Sequence, residues 1–228
     1  MKNLNKILFV AGFLATNANA GIFVDAEVGA KGWLVEQRYN IEQKANRENF
    51  SDEYSNRFGA MIEGKLKHAI PFVPNIGGRF TYINNKNGSD SKISHLDVDA
   101  FYSILDITPI SIDLGIGAKI GDFKVGTGRT EDINYNDVTP YFYGNSTLDI
   151  FGTPLSINAN IRASDLNFCD KTKLFDGELG LSWNIADVII QGNIVAGYRY
   201  LYLKQDTSVA DDALVIFKGP YLGLKLNY

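Results

Sequence analysis

The stretch Tyr221-Leu-Gly-Leu-Lys-Leu-Asn-Tyr228 decides how this chain is read. Leu222, Leu224, Leu226 and Tyr228 alternate with Tyr221, Gly223, Lys225 and Asn227. A period of two marks a β-strand, whose successive side chains point to opposite faces. One face here is greasy. The other is mixed and carries a lysine. Working outward from this strand, the same period recurs over almost every segment after Gly21, and no helical periodicity interrupts it.

The segments sharing this period run from about 22 to 34, 56 to 67, 76 to 83, 94 to 105, 110 to 120, 139 to 150, 155 to 163, 173 to 183, 188 to 203 and 214 to 228. In the cleanest, Ile110, Ile112, Leu114, Ile116, Ala118 and Ile120 alternate with Ser111, Asp113, Gly115, Gly117 and Lys119. Trp33 falls near the end of the first, where an interfacial aromatic is expected. Long polar connections (36–55, 84–92, 121–137, 164–172, 204–212) alternate with short ones (68–75, 106–109, 151–154, 184–187), three of which contain proline. Long loops on one side and short turns on the other are the rhythm of an up-and-down transmembrane barrel, whose tilted strands need about 9–11 residues each. The expected fold class is therefore all-β: an antiparallel transmembrane β-barrel of about ten strands. Eight or twelve remain open, because 76–83 and 155–163 are the shortest segments. A soluble barrel of lipocalin kind would turn the apolar faces inward. It would leave the aromatic terminus and the loop rhythm unexplained.

Lys2 and Lys6, the apolar run 7–15 and Ala18-Asn19-Ala20 have the order of a secretory signal peptide, with cleavage expected after Ala20. This divides the chain into a signal peptide (1–20) and one barrel domain (21–228). Removing the two lysines leaves 20 basic residues against 26 acidic ones, a formal charge of −6. An acidic balance without a basic run argues against nucleic acid as a partner. The mean hydropathy of −0.09 suits a barrel in which every second residue faces lumen or water. Cys169 is the single cysteine, so no disulfide can form within the chain. It falls in a polar segment read as a loop.

Gly223, Leu226 and Tyr228 form a pattern of glycine, apolar residue two from the end and terminal aromatic. This pattern resembles the C-terminal signal by which outer-membrane barrels are recognised for insertion. Further pieces are His68-x-Ile-Pro-x-x-Pro-Asn75, Ser94-His95, Tyr102-x-x-Leu-Asp106, Gly197-Tyr-Arg199 and Gly219-Pro-Tyr-x-Gly-Leu224. In this order they resemble matching stretches in a family of uncharacterised proteobacterial outer-membrane β-barrel proteins. The resemblance spreads along most of the chain after Gly21. It implies a Gram-negative outer membrane as location, with outer-membrane lipid and the barrel-assembly machinery as partners. It implies no activity and no cofactor, and no functional residue carries over from it.

The expected inward faces are heavily charged. Asp25, Glu27, Glu63, Asp97, Asp99, Asp113, Asp149, Asp176 and Glu178 share them with Arg57, Lys65, Lys67, Arg79, Lys119, Arg162, Arg199 and Lys225. A barrel of about ten strands is narrower than the 16–18-stranded porins that leave an aqueous channel. In a narrow lumen an unpaired charge is costly, so a salt-bridged filling is expected. Closure of the first strand on the last brings Lys225 near Asp25 or Glu27, and Glu27 near Lys65. His95 with Asp97 and Asp99 is the strongest catalytic constellation, placed near the outer rim with a carboxylate beside an imidazole. No transition-metal site is expected from His68 and His95, which lie far apart. Acidic groups at Glu131-Asp132, Asp206 and Asp211-Asp212 offer oxygen ligands of the kind a divalent cation takes. The function expected is a monomeric, non-enzymatic barrel with a structural or surface-interaction role. The alternatives are a narrow pore for small solutes and a rim hydrolase using His95 with Asp97 or Asp99.

Overall fold

The computed structural model describes residues 23–43, 49–70, 72–84, 92–125, 133–164, 173–187, 190–205 and 210–228. They form ten strands: β1 (Phe23–Gln43), β2 (Asn49–His68), β3 (Asn75–Asn84), β4 (Lys92–Ile107), β5 (Ile110–Val125), β6 (Ile133–Asp149), β7 (Leu155–Ser164), β8 (Lys173–Asp187), β9 (Gln191–Gln205) and β10 (Ala210–Asn227). Each pairs antiparallel with its neighbours in sequence, and β1 pairs with β10 to close the barrel. The count is ten, not eight or twelve. At the seam the Ala26 amide donates to the Tyr228 carbonyl and the Tyr228 amide to the Ala26 carbonyl, both at 2.8 Å. Closure leaves no unpaired edge along the seam, as a barrel in lipid requires.

Several polar segments expected as loops are strand instead. β1 and β2 continue as a paired ladder from Gln37 opposite Tyr54 to Glu42 opposite Asn49. β5 and β6 pair out to Val125 and Ile133. Likewise β8 takes in Asn184–Asp187, and β9 runs from Gln191; residues 188 and 189 lie outside the described residues. The physical reason is common to the long hairpins. A ladder outside the bilayer satisfies its backbone groups through pairing and needs no apolar face, so its residues look like loop in composition. Cys169, Glu131, Asp132, Asp206 and residues 1–22 lie outside the described residues.

The apolar face of each strand points out. Leu34, Phe58, Ile116, Phe142, Leu179, Leu222 and Leu224 are all exposed. A Lys218–Glu36 ion pair at 3.4 Å sits just beyond Leu34 and Phe58 and marks the outer limit of this belt on β1 and β10. The belt continues to the short turns, where Phe72 (95%) and Phe151 (97%) project almost fully. The phenol of the outward-facing Tyr102 donates to the Phe72 carbonyl at 2.9 Å, tying that turn to the belt.

Trp33 corrects the reading from sequence. It is not an interfacial aromatic but lies in the lumen with none of its surface exposed. Its Nε1 donates to the Gly219 carbonyl at 3.1 Å. Alternation had already placed it there, since Trp33 shares parity with Glu27, Gly29 and Lys31. Around it the lumen is layered. Toward the long hairpins, Val35, Ile83, Ile93, Leu174, Leu201, Leu203 and Phe217 are buried in one apolar cluster. A buried charged layer follows, and below it a polar region opens toward the short turns.

Three glycines let large rings lie flat against the lumen wall. A Cβ on Gly117 would collide with the ring of Tyr141, whose hydroxyl reaches across to Asp99. Gly180 and Gly197 do the same for Tyr221. A flat strand segment with no side chain is what allows an inward aromatic to lie against the wall.

Candidate functional site

The charged layer is assembled from strands on every side of the barrel. Period-two alternation puts Arg79 (β3), Asp97 (β4), Lys119 (β5), Asp176 and Glu178 (β8) and Arg199 (β9) on inward faces, and the pairing registers bring them level. Asp176 is the hub. Arg199 grips it with a two-pronged fork, Nε to Oδ1 at 2.9 Å and a terminal nitrogen to Oδ2 at 2.8 Å. Arg79 binds Oδ2 from another side at 2.5 Å, and Lys119 lies 3.3 Å from the same atom. Lys119 also reaches Asp97 Oδ1 at 2.6 Å, and Arg79 Nε donates to Asp97 Oδ2 at 3.2 Å. Arg79 closes the ring by pairing with Glu178.

Lys31 extends this layer to Glu63 at 2.8 Å and Glu178 at 3.0 Å, with its ammonium 4.9 Å from the Tyr221 ring centroid. Arg162 forks onto Asp99 (3.2 and 2.7 Å), which also accepts from the Tyr141 hydroxyl at 2.8 Å. Five cations (Lys31, Arg79, Lys119, Arg162, Arg199) thus face five carboxylates (Glu63, Asp97, Asp99, Asp176, Glu178), and the layer is charge-balanced. Arg199 stacks 4.8 Å from the Trp33 ring, joining the charged layer to the apolar one. Buried charges persist only when paired and hydrogen-bonded, and here each carboxylate has at least one cation.

Nearer the short turns, Lys225 lies 3.2 Å from Glu27, and Glu27 stands opposite Lys65 in the β1–β2 register. Asp25 stands opposite Lys67. Lys67 is 3.6 Å and Lys65 4.0 Å from Asp113, which also accepts from Ser103 at 2.8 Å. Lys225 faces the lumen, while Leu226 and Tyr228 face outward beside it. Gly223 lies against Lys31 of β1, where a Cβ would strike that residue's backbone.

The sequence pattern expects His95 near the rim. It lies instead inside the charged layer and keeps 1% of its surface. Ile93 and Ile83 cover it from the outer side. Its Nε2 is 3.8 Å from Asp97 and 3.4 Å from Arg199. Asp97 and Asp99 share its face but belong to separate ion pairs, with Lys119 and Arg162. His95, Asp97 and Asp176 each offer a ligand atom within 4.8 Å of the others. Yet Arg79, Lys119 and Arg199 already occupy those carboxylates, and their charge opposes a divalent cation.

Two features escaped the sequence reading. One is the role of Lys31 as a central member of the network; parity with Glu27 puts it on the inward face but does not name its partners. The other is the apolar stopper. Its signal was the loss of alternation in Trp33-Leu-Val35 and Leu201-Tyr-Leu203, where both faces become apolar at once.

The lumen is not filled evenly. A cavity of about 310 Å³ opens at the turn end, lined by Asn158, Ser182, Asn193, Gln191 and Asn227 among others. A smaller one of about 60 Å³ adjoins it beneath the charged layer, between Glu178, Arg162 and Lys225.

The sequence matches no protein-family model and no curated protein. Among solved structures, the fold is similar to the outer-membrane protease OmpT of Escherichia coli, with a TM-score of 0.54 over 92% of this chain and 97% of that one, at 7% identity. Two looser likenesses are the Neisserial surface protein A (TM-score 0.38, 13% identity, 88% and 95% covered) and Ail, the attachment invasion locus protein of Yersinia pestis (0.33, 14%, 89% and 99%). The architecture is therefore that of an outer-membrane β-barrel. At such identities the likeness concerns the fold alone and carries no chemistry across.

Proposed function

We propose that this chain is an integral outer-membrane barrel that does not conduct solutes and whose role is structural or surface-binding, exercised through the hairpins at its long-loop end. The observation that carries this reading is the double closure of the lumen, an apolar stopper above a charge-balanced layer. The outward belt and the apolar turns around Phe72 and Phe151 suit lipid contact from the outer limit down to the inner interface. The chain reaches the membrane with a signal peptide cleaved after Ala20. It is inserted by the barrel-assembly machinery through Gly223, Leu226 and Tyr228, and stands there as a monomer. The pore reading is disfavoured by the same two layers. The rim-hydrolase reading is disfavoured by the burial of His95 and the Arg162 fork on Asp99.

Two experiments test the proposal. Proteoliposomes carrying the refolded protein should swell in small neutral solutes no faster than protein-free vesicles; fast swelling would restore the pore. Transplanting the outer hairpins (36–55, 121–137 and 204–212) onto an unrelated barrel should carry cell-surface or matrix binding with them. Binding that stays with the original barrel after the hairpins are trimmed would contradict the surface role.

A further inference from the structure

The turn-end half of the lumen has two unlike walls. Near β1, β2, β5 and β10, charges are matched: Lys225 to Glu27, and Lys65 and Lys67 to Asp113. From β6 to β9 the wall carries mostly uncharged polar groups, Asn145, Thr147, Asn158, Asn160, Ser182 and Asn193, with the carboxylate of Asp149 at its exposed end, where it accepts from Ser156 at 2.7 Å. Part of it is wired together. Thr147 donates to Asn158 Oδ1 at 3.2 Å, the Asn158 side-chain amide donates to the Ser182 hydroxyl at 2.6 Å, and Asn160 donates to Asn145 Oδ1 at 3.4 Å. The empty volume of about 310 Å³ lies mostly against this wall, with Lys225 and Asn227 of β10 on its other side.

Two polar groups at the cavity lack the partners that buried amides normally have. Asn193 keeps only 8% of its surface and lines the cavity, and among the described residues no group hydrogen-bonds its carboxamide. Asn227 Oδ1 is buried without a hydrogen-bond partner on the same lining. A buried Oδ1 left unpaired is destabilising, and an unpaired carboxamide that faces empty space has its donor and acceptor free, so both suit a partner from outside the chain.

We propose that this vestibule is a binding site for a neutral saccharide of one or two sugar units, entering from the short-turn end. Vicinal hydroxyls each donate and accept, which suits carboxamides that present both functions side by side. The charges at the space are Asp149, which repels an anion, and Lys225, which is already held by Glu27, so an anion gains no unpaired cation there. A peptide would bring apolar side chains that need apolar pockets, and only Pro154 and Leu155 at the mouth offer such surface. This inference does not rest on the surface role proposed above. A conducting barrel would contradict that role and leave the following test unchanged.

The full chain, refolded in a zwitterionic detergent without sugar headgroups, is titrated calorimetrically with maltose, diacetylchitobiose and glucose 6-phosphate. At least one of the two neutral disaccharides is expected to bind with a dissociation constant of about a millimolar or tighter. Asn193→Leu should weaken that binding by about tenfold or more, since it removes a buried hydrogen-bonding group. Asn227→Ala, at the mouth, should weaken it as well and serves as the deciding variant if Asn193→Leu does not fold. Folding is followed separately by heat-modifiable electrophoretic mobility. Absence of binding by the folded wild type, binding of glucose 6-phosphate alone, or affinity indifferent to the folded variants would each overturn the assignment.

Discussion

Asp176 shows what a single residue carries in this lumen. It accepts from Arg199, Arg79 and Lys119 at once, and its side chain has no exposure. Removing it would leave three buried cations with a deficit of one negative charge. Asp176→Leu is therefore expected to destabilise the barrel by about 3–5 kcal/mol, the range for breaking one side of a buried ion pair. Asp176→Leu combined with Arg199→Leu should cost less than the sum of the two single changes. Urea unfolding in detergent, followed by tryptophan fluorescence, reads both, because Trp33 stacks under Arg199. Additive losses would show that the pair is not coupled. Gly117 is a second test at this scale. Gly117→Val would push Tyr141 off the wall and away from Asp99. The expected result is a loss of stability of about 1–3 kcal/mol, the usual cost of overpacking, with Gly117→Ala intermediate. Most of these residues were legible as inward from parity alone. Their partners were not, since who meets whom across the lumen depends on stagger and tilt, which no local pattern contains. His95 is the clear case. Its face could be read from the sequence, but its depth could not, and depth decides whether a substrate can reach it.

At the scale of the strand, β10 separates two neighbouring residues by environment. Leu224 lies near the middle of the outward belt on that strand, while Lys225 points inward to Glu27. Leu224→Arg should destabilise the folded barrel by about 2–4 kcal/mol, as a cation near the bilayer midplane does. Lys225→Leu should cost less, because Glu27 keeps Lys65 as a cross-strand neighbour. Folded fractions in lipid vesicles across a denaturant series decide the order, and a reversed order would mean that the register is wrong by one residue. Strand existence and facing were readable wherever one side is apolar and the other is not. The outer parts of β1, β2, β5 and β6 were not, because both faces there are polar and composition cannot separate a solvated ladder from a loop. Trp33 was misassigned for a related reason. A rule about aromatics at interfaces was set above the alternation, and the alternation was the better guide.

For the whole molecule, the barrel is closed sideways by the β1–β10 seam and lengthwise by its own contents. Closing the seam leaves no backbone edge to lipid. The stopper of Val35, Ile83, Ile93, Leu174, Leu203 and Phe217 lies across the outer end, and the balanced charges fill the waist. Composition foretold the charges but not the stopper, because apolar residues facing inward break the inside-out rule on which the sequence reading relied. Whether these two layers seal the lumen is read out by single-channel recording in planar bilayers. The folded wild type is expected to give no current steps above those of bare lipid, and steps are expected to emerge when Phe217, Leu203 and Arg199 are together replaced by glycine. Steady, discrete conductance from the wild type itself, scaling with the amount of folded barrel, would contradict the seal.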